Sequence, residues 1–401
     1  MEPHRLVSLA VAAALGAPAP PAAAAEGRSP TASPGLPDHV RRAEDAWHVE
    51  PGGEIQDALD LAAADPLVKT VRVHSGVYRP AAFRQALIWL HREHEGILLE
   101  AVGEVTLTAS NPELTGTSQT AAVNHVVYFG DGISNRTVLR GFRITGADNF
   151  VTTLGTDVIE PNEDLAKGLF FFADGGGIKI FGRSYPTIER VEVFENYASP
   201  CGGGVSIEHT GETDSGPDSE VILRDSVFRD NSAQVTGSAI DLLPGSRARI
   251  ENCLFVGNVS NTGIDYVSFF NRVEPYLRRH GAGALSVLPG ARATVVRSTF
   301  TGNWNGVDDH GGEGSVYRDS IFWRNVADGG TYPGERYELA IGQGTTVSGC
   351  FVHGKIEDLR GTVARERNRF DPPDPEFDDR FVPRFPEYRD VGYRPPGPPA
   401  D

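Results

Sequence analysis

Apolar residues in this chain return at a fixed distance from asparagine. In SVFRDNSA, Phe228 stands three positions before Asn231. The phrase returns as CLFVGNVS with Phe255 and Asn258, STFTGNWN with Phe300 and Asn303, and SIFWRNVA with Phe322 and Asn325. A looser copy, VEVFENYA, carries Val193 and Asn196. Fifteen residues before Val193, Phe255, Phe300 and Phe322 stand Ile178, Ile240, Leu285 and Val307, each after Gly or Ala in a short strand. Phe228 leads back to Val205 across an eight-residue insertion. Two short strands at a constant offset, joined by corners that absorb insertions, predict a parallel β-solenoid. Its coils stack at about 4.8 Å. The phenylalanines then stack inside, and the asparagines form a ladder at one turn that bonds neighbouring coils.

Upstream the period changes. Ile55, Ala58, Leu59 and Ala62 share one helical face, and Asp65-Pro66 ends that helix. Val71, Val73 and Ser75 then alternate with Arg72 and His74 as in a strand, and Gly76-Val77-Tyr78 reads as a turn. A short amphipathic helix followed by short strands predicts a cap on the β-structure. Residues 1–25, with His4 and Arg5 before an apolar run and then small residues, read as a secretory signal peptide. Residues 26–45 read as a flexible leader, 46–395 as the β-domain and 396–401 as a Pro-rich tail. No later segment is apolar enough to span a membrane. The expectation is an exported, soluble monomer, secreted or periplasmic.

The formal net charge of -17 argues against nucleic acid as a partner. An acidic polysaccharide would need a local basic patch or a bridging cation. Cys201, Cys253 and Cys350 are too few for a disulfide scaffold and read as buried thiols.

Strand neighbours point to opposite faces. With Ile178, Val205, Ile240, Leu285 and Val307 inward, Lys179, Ser206, Asp241, Ser286 and Asp308 point outward, and Glu208 and His310 share that face two positions further on. Asp241 and Asp308 are two coils, or about 10 Å, apart. In TGNWNGVDDHGGEGS, Asp309 falls at an inward position, where a carboxylate must be hydrogen-bonded or metal-bound. One reading makes DDHGG a turn with Asp309 capping backbone amides; the other makes it functional. The insertion NRVEPYLRRHG brings Arg272, Arg278, Arg279 and His280, expected to overhang the coils of Asp241 and Ser286.

The segments IQDALDLA…VRVHSGVY, GGGIKI…TIERVEVFENYA and SAIDLLPGSRARIENCLFVGN resemble the pectin-lyase-like, right-handed parallel β-helix superfamily, especially secreted bacterial right-handed β-helix repeat proteins. The closing NRFDPPDPEFDD is similar to the tail of such helices. The resemblance runs over roughly residues 47–395 and is one of fold. It implies an all-β, single-stranded right-handed parallel β-helix with a short N-terminal helix cap. It also implies a substrate groove on the outer face described above. Uronate lyases of this fold use a Lys or Arg base beside carboxylates that hold calcium. By that resemblance Asp308, His310, Asp241, Lys179 and Arg278 are the catalytic candidates. Glu208, Arg272, Arg279 and His280 are those for substrate, and Asp309 is that for a metal, with Ca2+ as the implied ion. The polygalacturonase pattern of paired aspartates and Gly-His-Gly is not reproduced. The expected function is action on, or binding of, an acidic polysaccharide, by a lyase or a glycoside hydrolase. The alternative is a non-catalytic solenoid that binds glycans or partners.

Overall fold

The computed structural model describes residues 35–397, apart from 116–120, 149–164, 166, 200, 211–215, 217, 261, 263–265, 270–271, 276–282, 312–313, 327–335, 343, 359–361 and 364–366. The chain divides into Met1–Leu36 and Pro37–Asp401, and the second unit is described here.

Three rows of short parallel strands run through it. The first ladder pairs Arg84–Leu90, Val123–Phe129, Ile178–Phe181, Val205–Glu208, Ile240–Leu242, Leu285–Val287, Val307–Asp309, Leu339–Ile341 and Ile356–Asp358 in succession. Ile178, Val205, Ile240, Leu285 and Val307 stand in register there, as the fifteen-residue offset requires. A second ladder follows with Thr187–Glu189, Val221–Arg224, Arg247–Glu251, Arg292–Val296 and Val316–Arg318. A third aligns Val193, Phe228, Phe255, Phe300 and Phe322.

The interior is columnar. Phe228, Phe255, Phe300 and Phe322 are fully buried, with successive ring centroids 5.1, 4.2 and 5.1 Å apart and nearly parallel. Beside them the asparagine side chains form one chain of amides. Both the backbone N and Nδ2 of Asn196 donate to Asn231 Oδ1, those of Asn231 to Asn258, of Asn258 to Asn303, and of Asn303 to Asn325. The residue before each asparagine is left-handed: Glu195, Asp230, Gly257, Gly302 and Arg324. That corner turns the amide inward, and only glycine adopts it without strain. Cys253 and Cys350 sit in a third column with Ser226, Ser298 and Ser320, where Cys253 N donates to Ser298 Oγ at 3.2 Å and Ser298 N to Ser320 Oγ at 3.1 Å. The thiols stand where the serine hydroxyls stand, and no disulfide forms.

At the N-terminal end, helix Ile55–Ala64 buries Ile55, Ala58, Leu59 and Ala62 against strands Trp47–Val49 and Thr70–Tyr78. Asp65 N donates to Leu61 O and ends the helix. Two details differ from the sequence reading. Gly76-Val77-Tyr78 is the end of strand Thr70–Tyr78, continued past an irregularity between His74 and Gly76, rather than a turn. Val40–Arg42, read as leader, is a strand paired antiparallel with Trp47–Val49.

The C-terminal segment returns along the coils. Tyr388 and Val391 pack on Ile321 and Trp323. Gly392 N then donates to Asp319 O (2.9 Å), Tyr393 N to Thr299 Oγ1 (2.9 Å) and Arg394 N to Asn252 Oδ1 (2.7 Å). The segment is a strap that crosses several coils at one corner.

Candidate active site

The outward row of the first ladder is Tyr128, Lys179, Ser206, Asp241, Ser286 and Asp308, each in register with the next. Glu208 belongs to the same face one pleat on, opposite Phe181. The row does not face open solvent. Lys179, Ser206 and Asp241 are fully buried, as is Asp174. Helix Leu169–Ala173 lies over this face: Phe171 meets Tyr128 and Phe181 edge-on, and the Asn124 amide donates to Phe172 O at 2.8 Å. His125 is closed in beneath it, with ring nitrogens 2.9 Å from Gly175 O and 3.2 Å from Phe171 O. Burial, assisted by the Lys179 charge, lowers the His125 pKa to about 3, so the ring is neutral.

The centre of the site is an ammonium among three carboxyl groups. Lys179 Nζ is 2.7 Å from Glu208 Oε2 and donates to Ser206 Oγ at 3.2 Å. Burial pushes the Asp241 carboxyl up to about 7, against the opposing pull of the Lys179 ammonium and the Ser206 hydroxyl. Burial, then the Asp241 charge, raises Asp174 well above the usual carboxylate range. Asp174 Oδ1 accepts Cys201 N at 3.0 Å, whereas its Oδ2 and both oxygens of Asp241 lack a hydrogen bond of good geometry. Buried oxygens left this way are rare and are a mark of a working site.

Glycine makes the room. Gly175, Gly202 and Gly237 share one corner position, with φ of 82°, 66° and 64°. A Cβ on Gly202 would stand 2.1 Å from Asp241 Oδ1, and one on Gly237 would stand 2.5 Å from Asp241 Cβ. Side chains at this corner would fill the space that the Asp241 carboxyl occupies.

Two coils beyond Asp241, Asp308 Oδ1 lies 2.6 Å from His310 Nε2. The Asp308 side chain is 4% exposed and that of His310 30%, so this pair reaches the surface. Asp309 points inward and accepts Gly311 N at 2.9 Å, Tyr317 OH at 2.8 Å and Thr345 Oγ1 at 3.4 Å. Burial raises its pKa in spite of these donors. Its partners are those of a turn that closes a coil.

Of the insertion residues, Arg272 lies on strand Arg272–Pro275, paired antiparallel with Tyr266–Phe269. Arg278, Arg279 and His280 lie outside the described residues. Among the described residues no group of three His, Cys, Asp or Glu side chains is placed to hold a metal. The row does not fit calcium: the Lys179 ammonium already stands against the Glu208 carboxylate, and a calcium site needs six to eight oxygens.

Asp174 escaped the sequence reading because it ends a long insertion and belongs to no strand. Its signal was position: Asp174, Cys201 and Thr236 all stand four residues before an inward anchor, next to the corner glycine. Cys201 is bridged to Thr236 on the next coil, and burial raises its thiol pKa well above the ordinary value.

A family model described as the right handed beta helix region matches residues 95–275. Comparison with curated proteins gives no match, and neither does comparison with solved structures. The match covers less than half of the chain, and over it the strands stack in parallel ladders, as in a right-handed β-helix.

Proposed function

We propose that the protein is a secreted carbohydrate-active enzyme that cleaves an acidic polysaccharide by acid–base chemistry at the Asp174–Lys179–Glu208–Asp241 cluster. One observation carries the reading. Two fully buried carboxyls, Asp174 and Asp241, are held high in pKa beside a Lys179–Glu208 ion pair, on the outer face of a ladder. A carboxyl that titrates near neutrality is suited to proton transfer. Asp241 gives its proton to the departing glycosidic oxygen as the bond to the anomeric carbon breaks, and water adds to that carbon, its own proton passing to Glu208; Asp174 is a second raised carboxyl at the same cluster. Lys179 fixes Glu208 in place as a carboxylate. Because Lys179 is committed to Glu208 and Ser206, it is poorly placed as the free base of an elimination. The reading therefore favours hydrolysis over the lyase reaction that the family resemblance implies. His310, oriented by Asp308, lies further along the row as a subsite for the polymer. The substrate reaches the cluster from the Glu208 edge, the partly exposed side of the cluster. Helix Ile55–Ala64 serves as the N-terminal cap, and the protein works as an exported monomer.

The test is incubation of residues 26–401 with pectate, alginate and glycosaminoglycans, with and without calcium. Reducing ends without ultraviolet absorbance, lost in Asp241→Asn, are expected. A calcium-dependent absorbance rise would establish the lyase reaction instead. A second reading, a solenoid that binds glycans without cleaving them, is favoured by the complete burial of Lys179 and Asp241. Binding without product on every substrate would establish it.

A further inference from the structure

The acidic chain carries a basic cavity away from the outward row. Where the C-terminal strap crosses the solenoid corner, a cavity of about 330 Å³ is lined by Asp225, Asn252, Arg297, Arg389, Asp390 and Arg394. Asp225, Asn252 and Arg297 take the same left-handed corner on successive coils, with φ of 54°, 51° and 47°. The strap brings Arg389, Asp390 and Arg394 against them, and Asn252 Nδ2 ties the two sides together by donating to Asp225 Oδ1 (2.7 Å) and Arg394 O (2.8 Å).

The guanidinium groups are underused. Among the described residues Arg394 donates from its side chain only to the backbone carbonyls of Tyr393, Tyr388 and Arg389. Burial lowers its pKa, and Asp390 and Asp378 offset only part of that. The side chains of Arg297 and Arg389 make no ion pair or hydrogen bond among the described residues. A guanidinium without a carboxylate is placed to receive one from a ligand, in the bidentate geometry that carboxylates share with it. Asp390 and the second oxygen of Asp225 add acceptors that suit hydroxyl groups. A simple anion would meet these carboxylates as repulsion; a ligand with one carboxylate and several hydroxyls uses both kinds of partner.

We propose that this strap cavity binds a uronate unit, its carboxylate on Arg297, Arg389 and Arg394 and its hydroxyls on Asp225 and Asp390. It supplies the local positive charge that an acidic polymer needs on a chain of net charge -17. The choice of ligand rests on the acidic-polysaccharide reading, whereas the site itself does not depend on catalysis.

The full chain is titrated with glucuronate, glucose and inorganic phosphate, with binding followed by NMR line broadening of the ligand, which reads occupancy without turnover. Glucuronate binding is expected, with glucose not binding and phosphate at least tenfold weaker. Arg297→Gln removes a side chain with no described partner, so it tests the site without loosening the strap; it is expected to weaken glucuronate at least tenfold. Asp241→Asn leaves that binding unchanged. The proposal is overturned if glucuronate does not bind, if glucose or phosphate binds as tightly, or if Arg297→Gln binds as the wild type does. A failed cleavage assay with intact glucuronate binding would remove the catalytic reading and leave this one standing.

Discussion

At the scale of single residues, the same chemical group takes opposite roles according to what surrounds it. Asp309 and Asp241 are both buried and both raised in pKa. Asp309 receives a backbone amide and two hydroxyls, so its burial is satisfied, whereas Asp241 has only the poorly aligned Ser206 hydroxyl. Removing the acceptor from Asp309 strands the Tyr317 hydroxyl in a dry interior, so Asp309→Ala is expected to cost about 2 kcal/mol in urea denaturation. A metal role predicts instead a large loss of stability when the wild type is treated with a chelator. Cys253 and Cys350 illustrate the reverse economy. Burial pushes the Cys350 thiol up to about 12 and raises Cys253 as well, so neither is a nucleophile. Serine already fills the same column at Ser226, Ser298 and Ser320, so Cys253→Ser is expected to change stability by less than about 1 kcal/mol. A thiol reagent should find both cysteines unreactive until the chain is unfolded.

At the scale of elements, the asparagine column works as a unit. Asn258 accepts two bonds from Asn231 and donates to Asn303, Phe228 O and Val256 O. Asn258→Ala leaves several buried partners unsatisfied at once, and about 3 kcal/mol or more of destabilisation is expected, measured by thermal or urea unfolding. The column ends on Glu338, which accepts from Asn325 N and Nδ2 in place of a further amide. Burial raises the Glu338 pKa from 4.5 to about 7. A carboxyl raised on folding stabilises the native state below its unfolded value, and that contribution is lost as pH rises from 4.5 through about 7. Wild-type stability should therefore fall over that window by about 3 kcal/mol from this group. Glu338→Gln keeps the acceptor and abolishes that part of the pH dependence; an unchanged pH–stability curve would contradict the assignment.

At the scale of the whole molecule, stacking in one dimension makes the outward row. Residues 129 positions apart in sequence, Lys179 and Asp308, stand on one face because each coil repeats the same pleat. This much was legible in the sequence: the fifteen-residue offset fixes register, register fixes which side chains face outward, and Phe228 to Phe322 stack where the offset puts them. The burial of the row was not legible. Helix Leu169–Ala173 covers Tyr128 and Phe181, and it comes from an insertion that lies outside the repeated phrases. A repeat pattern says where its own residues go and is silent about what an insertion lays over them. For the same reason Lys179 read as a free outward base, although the structure commits it to Glu208. The strap was equally hidden, since its contacts join residues 142 positions apart, the Asn252 side-chain amide and the Arg394 backbone, and the backbone half carries no sequence signature.

With Asp241 as the proton donor of an acid–base site, the rate of cleavage follows the protonation of its carboxyl. Reducing-end release from the best acidic polysaccharide would be measured between pH 4 and 9 for the wild type and Asp241→Asn. The wild-type rate should fall as pH rises through about 7, where Asp241 loses its proton. Asp241→Asn should be slower by about 10²-fold or more, with that descending limb gone. A variant that cleaves at the wild-type rate, with the same limb, would contradict that role for Asp241.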